Sequence, residues 1–430
     1  MINFRLSFIS VVVVIGLVLV LFACSFLPRI EDVSTNTNTS VSTNTNTSAS
    51  GDNVKPVVVV VNPTNGSVLY TTNVVVSGTA SDEGSGVKEV RLSVDGGSFR
   101  LVSGTTNWST NLILSYGNHN IRVYAVDNSN NVSDTNEVNF EIVSIIIYVS
   151  INGNDTNDGI TPQTPVKSMV KAMEIAGRIP SELNVTVKVE VGVYSAGDGL
   201  NSSDAGFVIS RPNIVISGGW DSSFTNVVGK STFDGNYVLY HVVKVESSTN
   251  VVFRNVVIMR GNATNTSFDS VGDGVGGGIY VSNVSYLVIE SNVEVVSNSA
   301  QYGGGLFLYS SSNNTISGSV YSNRAQYGGG VYLGYSTSNT ISGSVYSNSA
   351  TNGGGVYLYY STNNTINSSV YGNSANNSGG GVYLYNSDYF TNNDWITNNT
   401  ATNGGGVYTN VPHTNSSFGN VLYNTPNDFN

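Results

Sequence analysis

The sequence predicts an all-β protein, a small sandwich followed by a long parallel β-helix. Three observations carry this. Charged residues make up 10% of the chain, against about 25% in an ordinary globular domain, while β-branched residues and tyrosines stand where helix formers would. Triple glycines begin at Gly276, Gly303, Gly328, Gly353, Gly379 and Gly404, 25 to 27 residues apart, the period of one solenoid turn. Ahead of them, short β-rich runs alternate with turn residues over about ninety residues, the pattern of a sandwich. A formal net charge of −11, with no run of Lys or Arg, argues against a nucleic-acid partner.

Residues 1–23 read as a signal peptide. Arg5 precedes an apolar run over residues 11–22 that is short for a spanning helix. The run ends in Leu21-Phe22-Ala23-Cys24, and Cys24 is the only cysteine, so no intramolecular disulfide can form. This tetrapeptide resembles a bacterial lipobox, with Phe22 departing from the small or β-branched residue usual there. The resemblance implies lipidation of Cys24 and a membrane partner held through more than one acyl chain. Residues 24–54 form a Ser/Thr/Asn tether that cannot bury a core and is expected to be disordered. The expected location is the cell surface or outer membrane.

Residues 55–144 form the sandwich. Strand-like runs fall at 56–62, 74–80, 87–94, 99–102, 108–114, 121–127 and 138–143, with apolar alternation at Val90, Leu92 and Val94 and at Ile121, Val123 and Ala125. The stretches SDEGSGVKEVRLSVDGG and YGNHNIRVYAVDNSNNVS resemble bacterial Ig-like repeats, which implies a spacer or adhesive module. Asp82, Glu83 and Asp127 fall in loops at one end. They are either solvated turn residues or oxygen donors for Ca²⁺; no other cofactor or metal is expected.

Residues 145–430 carry the β-helix, with a cap over 145–180 and regular repeats over 276–430. Thr164 is the expected N-cap of a short helix, with Pro165 in its first position and Val166, Met169, Val170, Met173 and Ala176 on one face. Asp155 and Asp158 shape the preceding turn. This opening resembles that of pectate-lyase-like parallel β-helix proteins. The chain as a whole is therefore expected to be an Ig-like β-sandwich followed by a right-handed parallel β-helix with a short capping α-helix.

Each repeat places aliphatic, aromatic and aliphatic residues after its glycines, as in Val331-Tyr332-Leu333. Alternation points the aliphatics inward and the aromatics outward. Tyr280, Phe307, Tyr332, Tyr357, Tyr383 and Tyr408 then form an exposed stripe, widened by Tyr309, Tyr335, Tyr359 and Tyr385, suited to a polysaccharide or a partner's surface. A one-residue slip would bury the rings instead. Asn323, Asn348 and Asn373 recur at a turn and are expected to form a hydrogen-bonded ladder. The Gly-Gly-x-aliphatic and Val-Tyr-Ser-Asn elements also resemble the repeats of chlamydial polymorphic outer membrane proteins, which implies an adhesin-like helix. Residues 409–430 lack the alternating strands of a membrane barrel.

Polysaccharide-active β-helices need clustered carboxylates with a Lys or Arg partner. From residue 276 onward the carboxylates are Glu290, Glu294, Asp388, Asp394 and Asp428, and the bases are Arg324 and His413. The one region that could hold a catalytic cluster contains Lys230, Asp234, His241, Lys244, Glu246, Arg254, Arg260, Asp269 and Asp273. No catalytic residue is assigned. The expectation is a non-catalytic surface lipoprotein that binds a glycan or partner through its aromatic face. The alternatives are a lyase or hydrolase, or a structural envelope spacer.

Overall fold

Alternating valines build the first sheet. In Val57–Asn62 the side chains of Val58 and Val60 are buried while Val57, Val59 and Val61 face out, the period of a half-buried strand. The computed structural model describes residues 51–202, 204–264, 274–412 and 415–429. The signal segment, Cys24 and nearly all of the tether lie outside the described residues, as do Asp269, Asp273 and His413. Among the described residues no helix is long and apolar enough to cross a membrane.

The sandwich packs a four-stranded antiparallel sheet against a five-stranded one. Val74, Val76, Trp108 and Leu112 from the first meet Val90, Leu92, Ile121, Val123, Phe140 and Ile142 from the second. Each such side chain contributes about 1.5–3 kcal/mol of burial. Gly78 admits the indole, because a Cβ there would stand 2.3 Å from Trp108 Cζ2.

From Ile146–Val149 onward the chain winds through three parallel sheets of nine, ten and eight strands. Rungs stack in register: Val331, Tyr332 and Leu333 pair with Val356, Tyr357 and Leu358. The lumen is a column of aliphatics that includes Val331, Val356, Leu333 and Leu358, with Ile316, Ile341 and Ile366 and Val320, Val345 and Val370. These inward positions match the alternation of the repeats.

The turns use two devices. The first glycine of each triplet has positive φ, +67° at Gly328, where a side chain would be strained. The next two are steric: a Cβ on Gly329 would lie 2.5 Å from the Gly354 carbonyl, and one on Gly330 2.7 Å from the Gly355 carbonyl. The asparagine ladder runs from Asn298 through Asn323, Asn348, Asn373 and Asn399 to Asn424. At each step the amide Nδ2 donates to the next residue's Oδ1 at 3.0 Å. Asp428 ends it by accepting from Asn424 Nδ2 at 2.9 Å.

The capping helix differs from expectation. It spans Met169–Arg178 with Ser168, not Thr164, as N-cap, and Ser168 Oγ accepts from the Lys171 N–H. Asp155 is the reason. Its Oδ1 accepts from the N–H groups of Lys167 and Ser168 and its Oδ2 accepts from Ser168 Oγ. Val166 bridges Val149 as extended chain. The buried helix face is Met169, Ala172, Ile175 and Ala176, whereas Val170 is exposed.

Candidate functional site: an aromatic groove on the β-helix wall

Outward positions of the eight-stranded sheet carry two ring columns. Register continues one column from Lys244 through Tyr280, Phe307, Tyr332, Tyr357 and Tyr383 to Tyr408. Neighbouring rings stack with centroids 4.6–5.9 Å apart. These rings form a cluster of their own outside the aliphatic lumen. Yet the expected exposed stripe is mostly covered: Tyr280, Phe307, Tyr332 and Tyr357 are 3–8% exposed, while Tyr383 and Tyr408 are half-buried.

The cover comes from the turns. Tyr302 meets Tyr332 edge-on at 5.6 Å, and Tyr327 meets Tyr357 edge-on at 5.5 Å. The second column, Tyr309, Gly334, Tyr359 and Tyr385, forms the other side. At Gly334 the Tyr332 ring comes close, Cε1 lying 2.9 Å from where a Cβ would stand. Tyr335 fills the gap, edge-on to Tyr309 and to Tyr359 at 5.5 Å each.

The turn column changes from tyrosine to asparagine at Asn352, which bridges Tyr327. The cover stops and a groove of about 520 Å³ opens between Tyr327, Asn352 and Asn377 on one side and Tyr359 and Tyr385 on the other. Tyr332, Tyr357 and Tyr383 line it. Asn377 Nδ2 donates to Asn352 Oδ1 at 3.0 Å. No charged side chain lines the groove. Burial, with tyrosine neighbours, raises the Tyr332 and Tyr357 hydroxyls well above the ordinary range and pushes Tyr383 up to about 12. The groove is therefore neutral, offering ring faces, phenol hydroxyls and amides.

A further column escaped the repeat reading. Tyr321, Tyr346 and Tyr371 stack at 4.9 and 5.1 Å on the ten-stranded sheet. Their signal is the Val-Tyr that recurs in the third strand of three successive repeats. Tyr321 donates to Glu294 Oε2 at 2.6 Å, and Lys230 donates to Oε1 at 2.5 Å.

Among the described residues, those considered for catalysis fall into separate ion pairs. Lys244 pairs with Glu246 at 3.1 Å, Arg254 with Glu290 at 3.0 Å, Lys230 with Glu294, and Arg260 with Asp234. Each carboxylate is held by its own cation, so these pairs bring no two acids onto one reacting bond. His241 is buried, and its Nδ1 donates to the Gly276 carbonyl 3.0 Å away. In the sandwich, Asp82 and Asp127 meet at one end as the loops suggest, but their third partner is Asp52; Glu83 is exposed outside the group.

Residues 56–123 match the family described as Bacterial Ig domain. Residues 256–429 match the family described as Periplasmic copper-binding protein (NosD). The chain joins a bacterial Ig domain to a NosD-like parallel β-helix. None of the curated proteins compared with it matches. Solved structures similar to it include the fibronectin(III)-like modules of Clostridium thermocellum CbhA, at 26% identity, covering 21% of this chain and 48% of that one, TM-score 0.19. This chain thus spans about half of that one's length. A second is the SrpA adhesin of Streptococcus sanguinis, at 14% identity, covering 30% and 82%, TM-score 0.18. A third is the Family 28 exopolygalacturonase of Yersinia enterocolitica, at 8% identity, covering 87% and 100%, TM-score 0.27.

Proposed function

We propose that this protein is an exported, lipid-anchored, non-catalytic surface protein whose β-helix binds a neutral glycan along its aromatic groove. The observation that carries this is the groove between Tyr327 and Tyr385, built from ring faces and amides without a charge. Sugar rings present apolar C–H faces to such rings and hydroxyls to such amides. The separate pairing of each acid with its own base supports a binding role over lyase or hydrolase chemistry. Cys24 is the proposed attachment point, with the Ig domain as spacer between membrane and β-helix.

The name of the family matched by the β-helix raises copper. Copper takes imidazole and sulfur donors. Among the described residues 256–429 the only such donor is Met259, and the one cluster of three metal-binding side chains in the described residues is all carboxylate. The donor set does not fit copper, and the proposed function uses none.

Screening the full chain against an array of neutral and acidic oligosaccharides tests the reading. Selective retention of neutral ligands is expected. Binding confined to acidic ligands, or release of cleaved products, would overturn it. For the anchor, Cys24→Ser is expected to move the protein from the membrane fraction to the soluble one, and unchanged fractionation would refute the anchor.

A further inference from the structure

Asp52, Asp82 and Asp127 each bring a carboxylate oxygen to one end of the Ig domain, and these oxygens lie within 4.8 Å of one another. The three come from distant places in the chain. Asp52 precedes the first strand, Asp82 follows Asn73–Ser81, and Asp127 ends Gly117–Asp127. No Lys, Arg or His forms an ion pair with any of them among the described residues.

Two features show that the cluster is incomplete as it stands. Asp127 is fully buried; its oxygens accept from the backbone N–H and Nδ2 of Asn131, both at 2.7 Å, and the Asp52 carboxylate lies within hydrogen-bonding reach of it. A buried carboxylate without a countercharge is costly. Asp82 Oδ2 accepts from the Gly84 and Gly86 N–H groups, but Asp82 Oδ1, shut off from solvent, accepts nothing. It is an acceptor shielded from water and left for a ligand to satisfy.

The spacing suits a calcium ion. Oxygens that share a calcium ion sit 2.3–2.6 Å from it and hence no more than about 5 Å from each other. The donors are hard oxygens, which exclude a preference for copper or zinc. We propose that Asp52, Asp82 and Asp127 hold a Ca²⁺ ion. The ion neutralises the buried charge and ties the segment entering the first strand to two loops. Those loops are already joined to it, since Ser85 N–H donates to Asp52 Oδ2 at 2.7 Å and Asn131 Nδ2 donates to the Asp52 carbonyl at 2.9 Å. A Cβ on Gly84 would stand 2.3 Å from the Asp52 carboxylate, so the loop is shaped to admit that group. This proposal does not depend on the glycan reading.

The test is calorimetric titration of CaCl₂ into the EDTA-treated full chain, with thermal melts in parallel. One ion per chain is expected, with a Kd of about 10⁻⁵–10⁻³ M, and a rise in the melting temperature with Ca²⁺. Asp82→Asn keeps one carbonyl oxygen and the size of the side chain, and it should weaken binding at least about tenfold. Circular dichroism would confirm that this variant is folded, and Asp52→Asn serves as the second variant if it is not. Absence of heat and of any melting shift up to about 10 mM Ca²⁺ would overturn the proposal. So would equal affinity in a folded Asp82→Asn chain, or an equal response to Mg²⁺.

Discussion

Tyr327 meets Tyr357 edge-on, with ring centroids 5.5 Å apart and planes inclined at 77°. One rung further, the residue in register with Tyr327 is Asn352, and among the described residues no ring meets Tyr383 edge-on. Asn352 lines the groove at the rung where the turn column loses its ring. Asn352→Tyr is therefore expected to extend the cover over Tyr383. It should add about 0.5–1.5 kcal/mol of stability through the new ring pair while abolishing ligand binding. Melting curves and a binding assay on the same variant check this. A stabilised variant that still binds would place the contact surface elsewhere.

The asparagine ladder makes a second prediction. Asn348 Nδ2 donates to the Val320 carbonyl at 2.9 Å and to Asn373 Oδ1, and its Oδ1 accepts from the Asn323 N–H and Nδ2 at 3.0 Å. Asn348→Ala leaves several buried groups without partners, each costing about 1–3 kcal/mol. Chemical denaturation should show a loss of more than about 3 kcal/mol. A loss under about 1 kcal/mol would mean that water replaces the amide.

The third prediction concerns pH and the sandwich. The buried His119 ring has two acceptors, Asp95 Oδ2 at 2.9 Å from Nδ1 and the Ser115 carbonyl at 2.8 Å from Nε2. Burial alone would lower its pKa, but the Ser115 carbonyl and the Asp95 carboxylate outweigh it and raise the value above the ordinary 6.5. Only the imidazolium donates to both. Because the folded value is raised, the stabilisation is complete below the unfolded value and is lost as pH rises through the folded one. Stability of the Ig domain should fall as pH rises above the unfolded value of about 6.5, and His119→Gln should flatten that fall. A profile that His119→Gln leaves unchanged would contradict the assignment.

The glycine period, the strand alternation and the asparagine recurrence were legible in the sequence because each repeats locally and forces one geometry. Gly328–Gly330 and Asn348 meet their own repeat copies one rung away, so the pattern itself names the contact. The features that escaped depend on side chains meeting across turns. The helix start moved from Thr164 to Ser168 because Asp155, far back in the turn, takes the intervening N–H groups. The burial of Tyr332 and Tyr357 depends on Tyr302 and Tyr327, which belong to turns outside the strand pattern. Asp52 joined Asp82 and Asp127 from the segment before the first strand, where composition speaks only of a tether.

The most direct test of the glycan-binding account is the affinity of the folded full chain for neutral oligosaccharides before and after Tyr359→Ser with Tyr385→Ser. Both rings stand at the groove's rim and are half-buried, so the double variant should keep its fold. It should lose at least about tenfold in affinity, roughly 1.4 kcal/mol. Unchanged affinity in a folded double variant would contradict the account.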